Sequence, residues 1–204
     1  MSILLYKKEV SSLVPLHQLH THTGSLFCPY LQFEHQTLLQ KIAKKMQSLH
    51  KEGEFSAEPL WLGSYFQKEF TDPNLPQVSI RWIDDEMGWG LFAEIAFQPM
   101  EFIAEYTGIV RQRRSADQTN AYCFEYLLAP GHDTSYVVDA QDQGGLARYI
   151  NHSDHPNLAS AQAVFDNISH IVLYTKTFVA KGEQLCYDYG ADYWKYRKKR
   201  RIIH

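Results

Sequence analysis

Arg148-Tyr-Ile-Asn-His-Ser-Asp-His-Pro-Asn157 and, further along the chain, Glu183-Gln-Leu-Cys-Tyr-Asp-Tyr-Gly190 are the two stretches whose reading decides the fold. The first sets Arg, Asn, His and Ser around a short apolar pair, too polar for a core strand and too bulky for a linker. Its composition is that of a site. The second places Tyr187 and Tyr189 at period two on a short strand-like run, so both rings leave one face and two phenols line one wall.

Outward from these stretches the texture after Pro76 is of short strands. Val78 to Trp82 alternates, and Leu91 to Ile95, Phe102 to Tyr106, Tyr122 to Leu128, Tyr136 to Asp139, His170 to Thr175 and Leu185 to Tyr189 are short apolar runs, with Lys181-Gly-Glu183 as a turn. Many short strands without helices between them predict a compact, irregular, mainly β and mostly antiparallel fold. Before Pro76 the pattern is helical. Leu38, Leu39, Ile42, Met46 and Leu49 fall at three- and four-residue steps between Glu34 and His50, and Gly53 follows as a stop. A second helix is expected from Glu58 to Phe70, with Pro59 in its first turn and Trp61, Leu62, Phe66 and Phe70 on its buried side. Ser2 to Pro29 shows no sustained period, and His17, His20 and His22 read as exposed loop histidines because no carboxylate or thiol with ligand spacing accompanies them. The division expected is therefore a helical lobe over 1–76, a β domain over 77–190, and a basic C-terminal helix or lid over 191–204.

The chain of 204 residues, 45% of them hydrophobic, is long enough to bury one core with an extension. No apolar run approaches the roughly 20 residues of a membrane span, and the start is too short in apolar residues for a secretory signal, so a soluble protein made in a cytosol is expected. Cys28, Cys123 and Cys186 lie far apart, which supports neither a disulfide framework nor a thiolate zinc site. Lys195 to Arg201 holds six of the 20 Lys and Arg, so the rest of the chain sets fourteen positive charges against 23 negative ones. An acidic body favours a basic polypeptide partner, or serves solubility alone. The basic tail reads either as a solvated helix end or as a localisation or nucleic-acid patch.

Gly88-Trp-Gly90 lacks the third glycine and the following helix of a dinucleotide fingerprint. In chain order come Gly88-Trp-Gly90, Tyr106-Thr-Gly108, Tyr122-Cys-Phe124, Gly144-Gly-Leu-Ala-Arg148 and the two opening stretches. This order resembles SET-domain protein-lysine methyltransferases, over residues 78 to 194 and not over 1 to 76. The resemblance implies a β-clip fold, small sheets around a pseudoknot, and S-adenosylmethionine as cofactor. It implies Tyr189 as the catalytic tyrosine, Tyr106 as the residue that helps orient the amine, and Tyr122, Phe124 and Tyr187 as walls of a lysine channel. Gly88, Trp89, Gly90, Tyr122, Asn151 and His152 carry over as cofactor contacts, with Tyr193 flanking the adenine and Trp194 as a further aromatic covering the cofactor. Arg148 carries over either as a cofactor contact or as a structural residue paired with an acid such as Glu183.

The sequence departs from many members of the family. Asp154 stands where they have a zinc-binding cysteine, no cysteine cluster follows Gly190, and the helical lobe replaces a cysteine-rich segment, so no metal is expected. Tyr187, at a position where the family carries Phe or Tyr, implies mono- or dimethylation. The zinc-free layout resembles stand-alone bacterial and viral SET proteins, and export to a host nucleus would follow for a bacterial one. The substrate implied is a lysine in a histone-like basic tail. A catalytically silent lysine-peptide binder of the same fold is the alternative, and a dimerising lobe over 1–76 is compatible with either.

Overall fold

A computed structural model describes residues 1–8, 10–72, 74–129, 135–195 and 197. The chain opens with strands β1 (Ser2–Lys7) and β2 (Val10–Pro15), a helical turn α1 (His20–Thr23), and the two-residue strands β3 (Leu26–Phe27) and β4 (Gln32–Phe33). Helices α2 (Gln36–Glu52), α3 (Ala57–Tyr65) and α4 (Gln67–Thr71) follow. Next come β5 (Val78–Asp84), β6 (Gly88–Ala93), β7 (Phe102–Glu105), β8 (Ile109–Gln112), β9 (Cys123–Glu125), β10 (Tyr136–Asp139) and β11 (Gln143–Gly144). The chain continues through β12 (Asn151–His152), β13 (Leu158–Phe165), β14 (Ile168–Thr175), β15 (Cys186–Tyr187) and α5 (Ala191–Trp194).

The strands form small sheets in the orders β2-β1-β5-β6, β4-β8-β10-β9 and β13-β14-β7, with two-stranded pairs β11-β3 and β12-β15. This is the mainly β architecture expected from the short, glycine-punctuated runs. One core runs through the sheets, including Ile80, Leu91, Ile103, Val110, Tyr126 and Leu185. Two turns are set by local chemistry. The Asp84 carboxylate accepts from the backbone N–H of Glu86 and Met87 at 2.9 and 2.6 Å, closing the β5–β6 turn. Asp166 and Asn167 adopt φ of 47° and 59°, the left-handed pair that a two-residue hairpin between β13 and β14 requires.

Helical structure before Pro76 is confined to residues 36–71 apart from short turns, and the segment ahead of it supplies strands. β1 lies parallel to β5, with Leu5 opposite Ile80, and β4 lies parallel to β8. Strands on both sides of residue 76 thus share sheets. The alternation of buried Ile3 and Leu5 in β1 is hidden in the sequence by the apolar run around it.

Helix α2 ends as its sequence predicts: Gly53 takes a φ of 75°, its N–H reaches His50 O, and Glu54 N–H reaches Leu49 O. The second predicted helix breaks at Phe66 into α3 and α4. Its buried face is Leu62, Gly63 and Phe66, whereas Trp61 is 51% exposed and stacks on Tyr65. The cause is Gly63: a Cβ there would lie 1.9 Å from Val164 O, so α3 touches β13 at that point and Trp61 is turned outward. Leu62 and Phe66 pack with Ala163 and Val172, and Phe70 of α4 stacks on His170 at 4.1 Å. Of the C-terminal helix expected over Ala191 to Arg201, only Ala191–Trp194 forms the short helix α5, with Lys195 in a turn and Arg197 in a bend; residues 196 and 198–204, which carry most of the basic tail, lie outside the described residues.

Candidate active site

The two stretches singled out in the sequence are hydrogen-bonded to each other. β12 and β15 run parallel, with Asn151 opposite Cys186 and His152 opposite Tyr187, and Ser153 N–H continues the ladder to Tyr187 O at 3.1 Å. Asn157 clamps the pair: its Nδ2 donates to Gln184 O and its Oδ1 accepts from Cys186 N–H, both at 2.9 Å. The polarity of this stretch therefore has two origins, since Ser153 and Asn157 hold the backbone while Asn151 and His152 reach the cleft. Asn151 Nδ2 donates to Trp89 O at 3.3 Å, which ties β12 to the Gly88-Trp-Gly90 strand. His152 Nδ1 accepts from Tyr189 N–H at 3.2 Å, so its Nε2 carries the proton toward Asp154 Oδ1, also at 3.2 Å.

Aromatic rings build the wall on the other side. Tyr189 lies 4.7 Å from Tyr187, 4.6 Å from Tyr193 and 6.2 Å from Trp194, between ring centres. Tyr187 stacks with Phe124 at 6.3 Å, and Phe124 meets Tyr106 at 5.1 Å. The Tyr189 hydroxyl donates to Ile150 O, and the Tyr106 hydroxyl to Tyr122 O, each at 2.9 Å. Each phenol thus spends its hydrogen on the backbone and keeps its oxygen lone pairs for a ligand. Burial, then the neighbouring phenols, raises the ionisation of Tyr187 and Tyr189 well above the ordinary value; burial likewise raises Tyr106, against the opposing charge of Arg148. All three remain neutral at physiological pH.

Of the residues expected at the site, Gly88, Trp89, Tyr106, Tyr122, Phe124, Arg148, Asn151, His152, Tyr187, Tyr189, Tyr193 and Trp194 line one open cleft of about 1880 Å³. Gly90 does not, because it faces Ile83, Gln184 and Phe92, whose side chains would lie 2.7 to 3.0 Å from a Cβ. Arg148 does not pair with Glu183. Its guanidinium donates to Ala140 O and Gln141 O at 3.0 and 3.1 Å and lies 4.4 Å over the Tyr122 ring, so it braces the wall, while Glu183 accepts from Ala180 N–H and closes a turn.

The sequence reading missed two parts of this site. Thr23 enters the cleft wall from α1, accepting a hydrogen bond from Tyr149 OH at 2.9 Å. Arg111, with a side chain only 7% exposed, pairs with Asp117 at 2.6 Å and Asp139 at 2.7 Å and anchors the segment leading to Tyr122. Asp139 also accepts from Asn120 Nδ2 at 3.0 Å. A charged residue directly after the apolar pair Ile109-Val110, on a short strand, was the available signal. Cys123 beside this network has its thiol pushed up to about 12, mainly by burial and then by the two aspartates, so it is no nucleophile.

S-adenosylmethionine, the cofactor implied by the resemblance, suits these surroundings. Trp194 Nε1 is buried without a hydrogen-bond partner among the described residues, a donor left for a ligand, and the stacked rings of Tyr189 and Trp194 favour a cationic sulfur.

Residues 88–190 match the family model described as the SET domain. The chain is 35% identical over 108 residues to histone-lysine N-methyltransferase set-2 of Caenorhabditis elegans, covering 50% of this chain and 7% of that protein. It is 36% identical over 126 residues to histone-lysine N-methyltransferase Set8 of Drosophila pseudoobscura pseudoobscura, covering 57% and 17%. With histone-lysine N-methyltransferase Su(var)3-9 of Drosophila melanogaster the identity is 31% over 114 residues, covering 50% and 18%. The chain spans less than a fifth of the length of each of these relatives. Given a match over half of the chain, the sheets of the fold and the joining of the Asn-His-Ser and Tyr-Asp-Tyr stretches, the chain belongs to the SET-domain family.

Proposed function

We propose that the chain is an S-adenosylmethionine-dependent protein-lysine N-methyltransferase acting on a lysine in a basic, extended, histone-like segment. The β12–β15 pairing carries this reading, because it gathers Asn151, His152 and the Tyr189 hydroxyl around one cleft. When bound, S-adenosylmethionine supplies a methyl group on a positively charged sulfur. Direct displacement by an amine depends on alignment, and the chain supplies it through phenols whose hydroxyls are fixed on backbone carbonyls. A free lysine amine has a pKa of about 10.4, but an apolar aromatic wall disfavours its ammonium form, so no carboxylate base is needed. The faces of Tyr106, Phe124, Tyr187 and Tyr189 attract the methylammonium product.

β9 is the edge strand of its sheet, flanked by Tyr122 and carrying Phe124, which supports docking of an extended peptide by backbone hydrogen bonds. The buried Tyr187 phenol narrows the space in which a methylated amine must turn, which favours mono- or dimethylation. The positioned Tyr189 hydroxyl favours this enzyme over the silent lysine-peptide binder, which needs only an aromatic channel. Incubation with labelled methyl donor and a panel of basic proteins tests the reading. Label on lysine is expected; donor binding without transfer to any protein of the panel would support the silent binder instead.

A further inference from the structure

The segment after Gly190 lies against the catalytic aromatics, and one residue outside the SET match fastens it there. Arg197 Nη1 donates to Tyr193 O at 2.8 Å, Nη2 donates to Asn120 O at 2.6 Å, and the guanidinium lies 4.3 Å over the Tyr193 ring. Tyr193 in turn meets the Tyr189 ring at 4.6 Å. On the other side, Asn120 Oδ1 accepts from Tyr122 N–H at 2.9 Å and Asn120 Nδ2 donates to Asp139 at 3.0 Å, while Tyr122 O accepts the Tyr106 hydroxyl. One planar cation therefore joins the covering segment to the wall that holds both Tyr122 and the Tyr106 hydroxyl.

We infer that Arg197 is a positioning residue: its two-pronged contact with Asn120 O and Tyr193 O latches residues 190–195 over Tyr189 and so pre-forms the roof shared by the donor and the lysine. The inference rests on the methyltransferase reading for its kinetic consequence. A lysine at this position has the charge but not the fork, and reaches only one of the two carbonyls at a time. Losing these charge-assisted hydrogen bonds raises the apparent dissociation constants of both substrates roughly tenfold or more.

The test compares the full-length protein with Arg197→Ala and Arg197→Lys. Amide hydrogen exchange over residues 190–197 is expected to accelerate at least about tenfold in Arg197→Ala, with 150–153 and 186–187 unchanged. KM for methyl donor and for lysine peptide is expected to rise about tenfold each while kcat stays within about threefold, and Arg197→Lys recovers only part of the loss. Unchanged exchange, a fall in kcat at constant KM, or a lysine variant indistinguishable from wild type would each overturn the latch. Should wild type methylate no basic protein, the functional reading fails, and the exchange measurement still decides the latch.

Discussion

The Tyr189 hydroxyl donates to the carbonyl of Ile150 across 2.9 Å, joining the segment just after β15 to the residue just before Asn151. This bond fixes the phenol oxygen without ionising it, and it exists only because β15 lies beside β12. Replacing Tyr189 by Phe removes the oriented oxygen while keeping the ring among Tyr187, Tyr193 and Trp194. Methyl transfer is expected to fall at least about a hundredfold, with stability lowered by only about 1–3 kcal/mol for the orphaned carbonyl. Transfer assays and thermal melts on the same sample check the split.

The buried phenols set an alkaline limit. Tyr106, Tyr187 and Tyr189 are all raised above the ordinary 10.0 by burial first of all. Above pH 10 the unfolded chain loses these protons before the folded one does, so stability is full below about pH 10 and declines beyond it. Each phenol contributes a slope of about 1.4 kcal/mol per pH unit. Melting temperature followed against phenolate absorbance from pH 8 to 11 is expected to show the fall of melting temperature beginning near 10, and no loss below it from these groups.

Asp117, held by Arg111, sets an acid limit. The Arg111 hydrogen bonds hold the Asp117 carboxyl below its ordinary 3.8, so its stabilisation is present above that pH and lost as pH falls through the lower folded value. Asp117→Asn leaves Arg111 with Asp139 alone and is expected to cost about 3 kcal/mol at neutral pH, while flattening the acid side of the stability curve. Denaturant melts of both proteins at several pH values check this.

Gly63→Ala tests how α3 sits on β13. The added methyl would meet Val164 O at 1.9 Å, and relief requires the helix to lift. An overpacking cost of about 2 kcal/mol is expected, seen as a fall of about 4–8 °C in melting temperature.

The site was legible where chemistry is concentrated in a few residues, and the fold was legible where patterns are local. Tyr187, Tyr189, Asn151 and His152 announce themselves because polar and phenolic residues crowd short strands. The β13 strand was not foreseen: Leu-Ala-Ser-Ala-Gln-Ala-Val-Phe is poor in strand-favouring residues, yet it is the longest strand together with β14. Its small side chains serve the close approach of α3 instead, with Ala163 under Leu62 and Phe66. β4 escaped because its partner, β8, lies some 75 residues away in sequence, and the β1–β2 hairpin because the apolar run of β1 hides its alternation. Arg197 sits in a run of basic residues whose composition suggests a solvated tail, and only its contacts with Asn120 and Tyr193 set it apart.

The central claim is that one cleft holds methyl donor and lysine together, on two sides of Tyr189. Calorimetric titration of a lysine peptide into protein saturated with S-adenosylhomocysteine tests it most directly. The account predicts binding at least as tight as to the free protein, because the two ligands meet only at the reacting atoms; mutual exclusion of peptide and cofactor would contradict it.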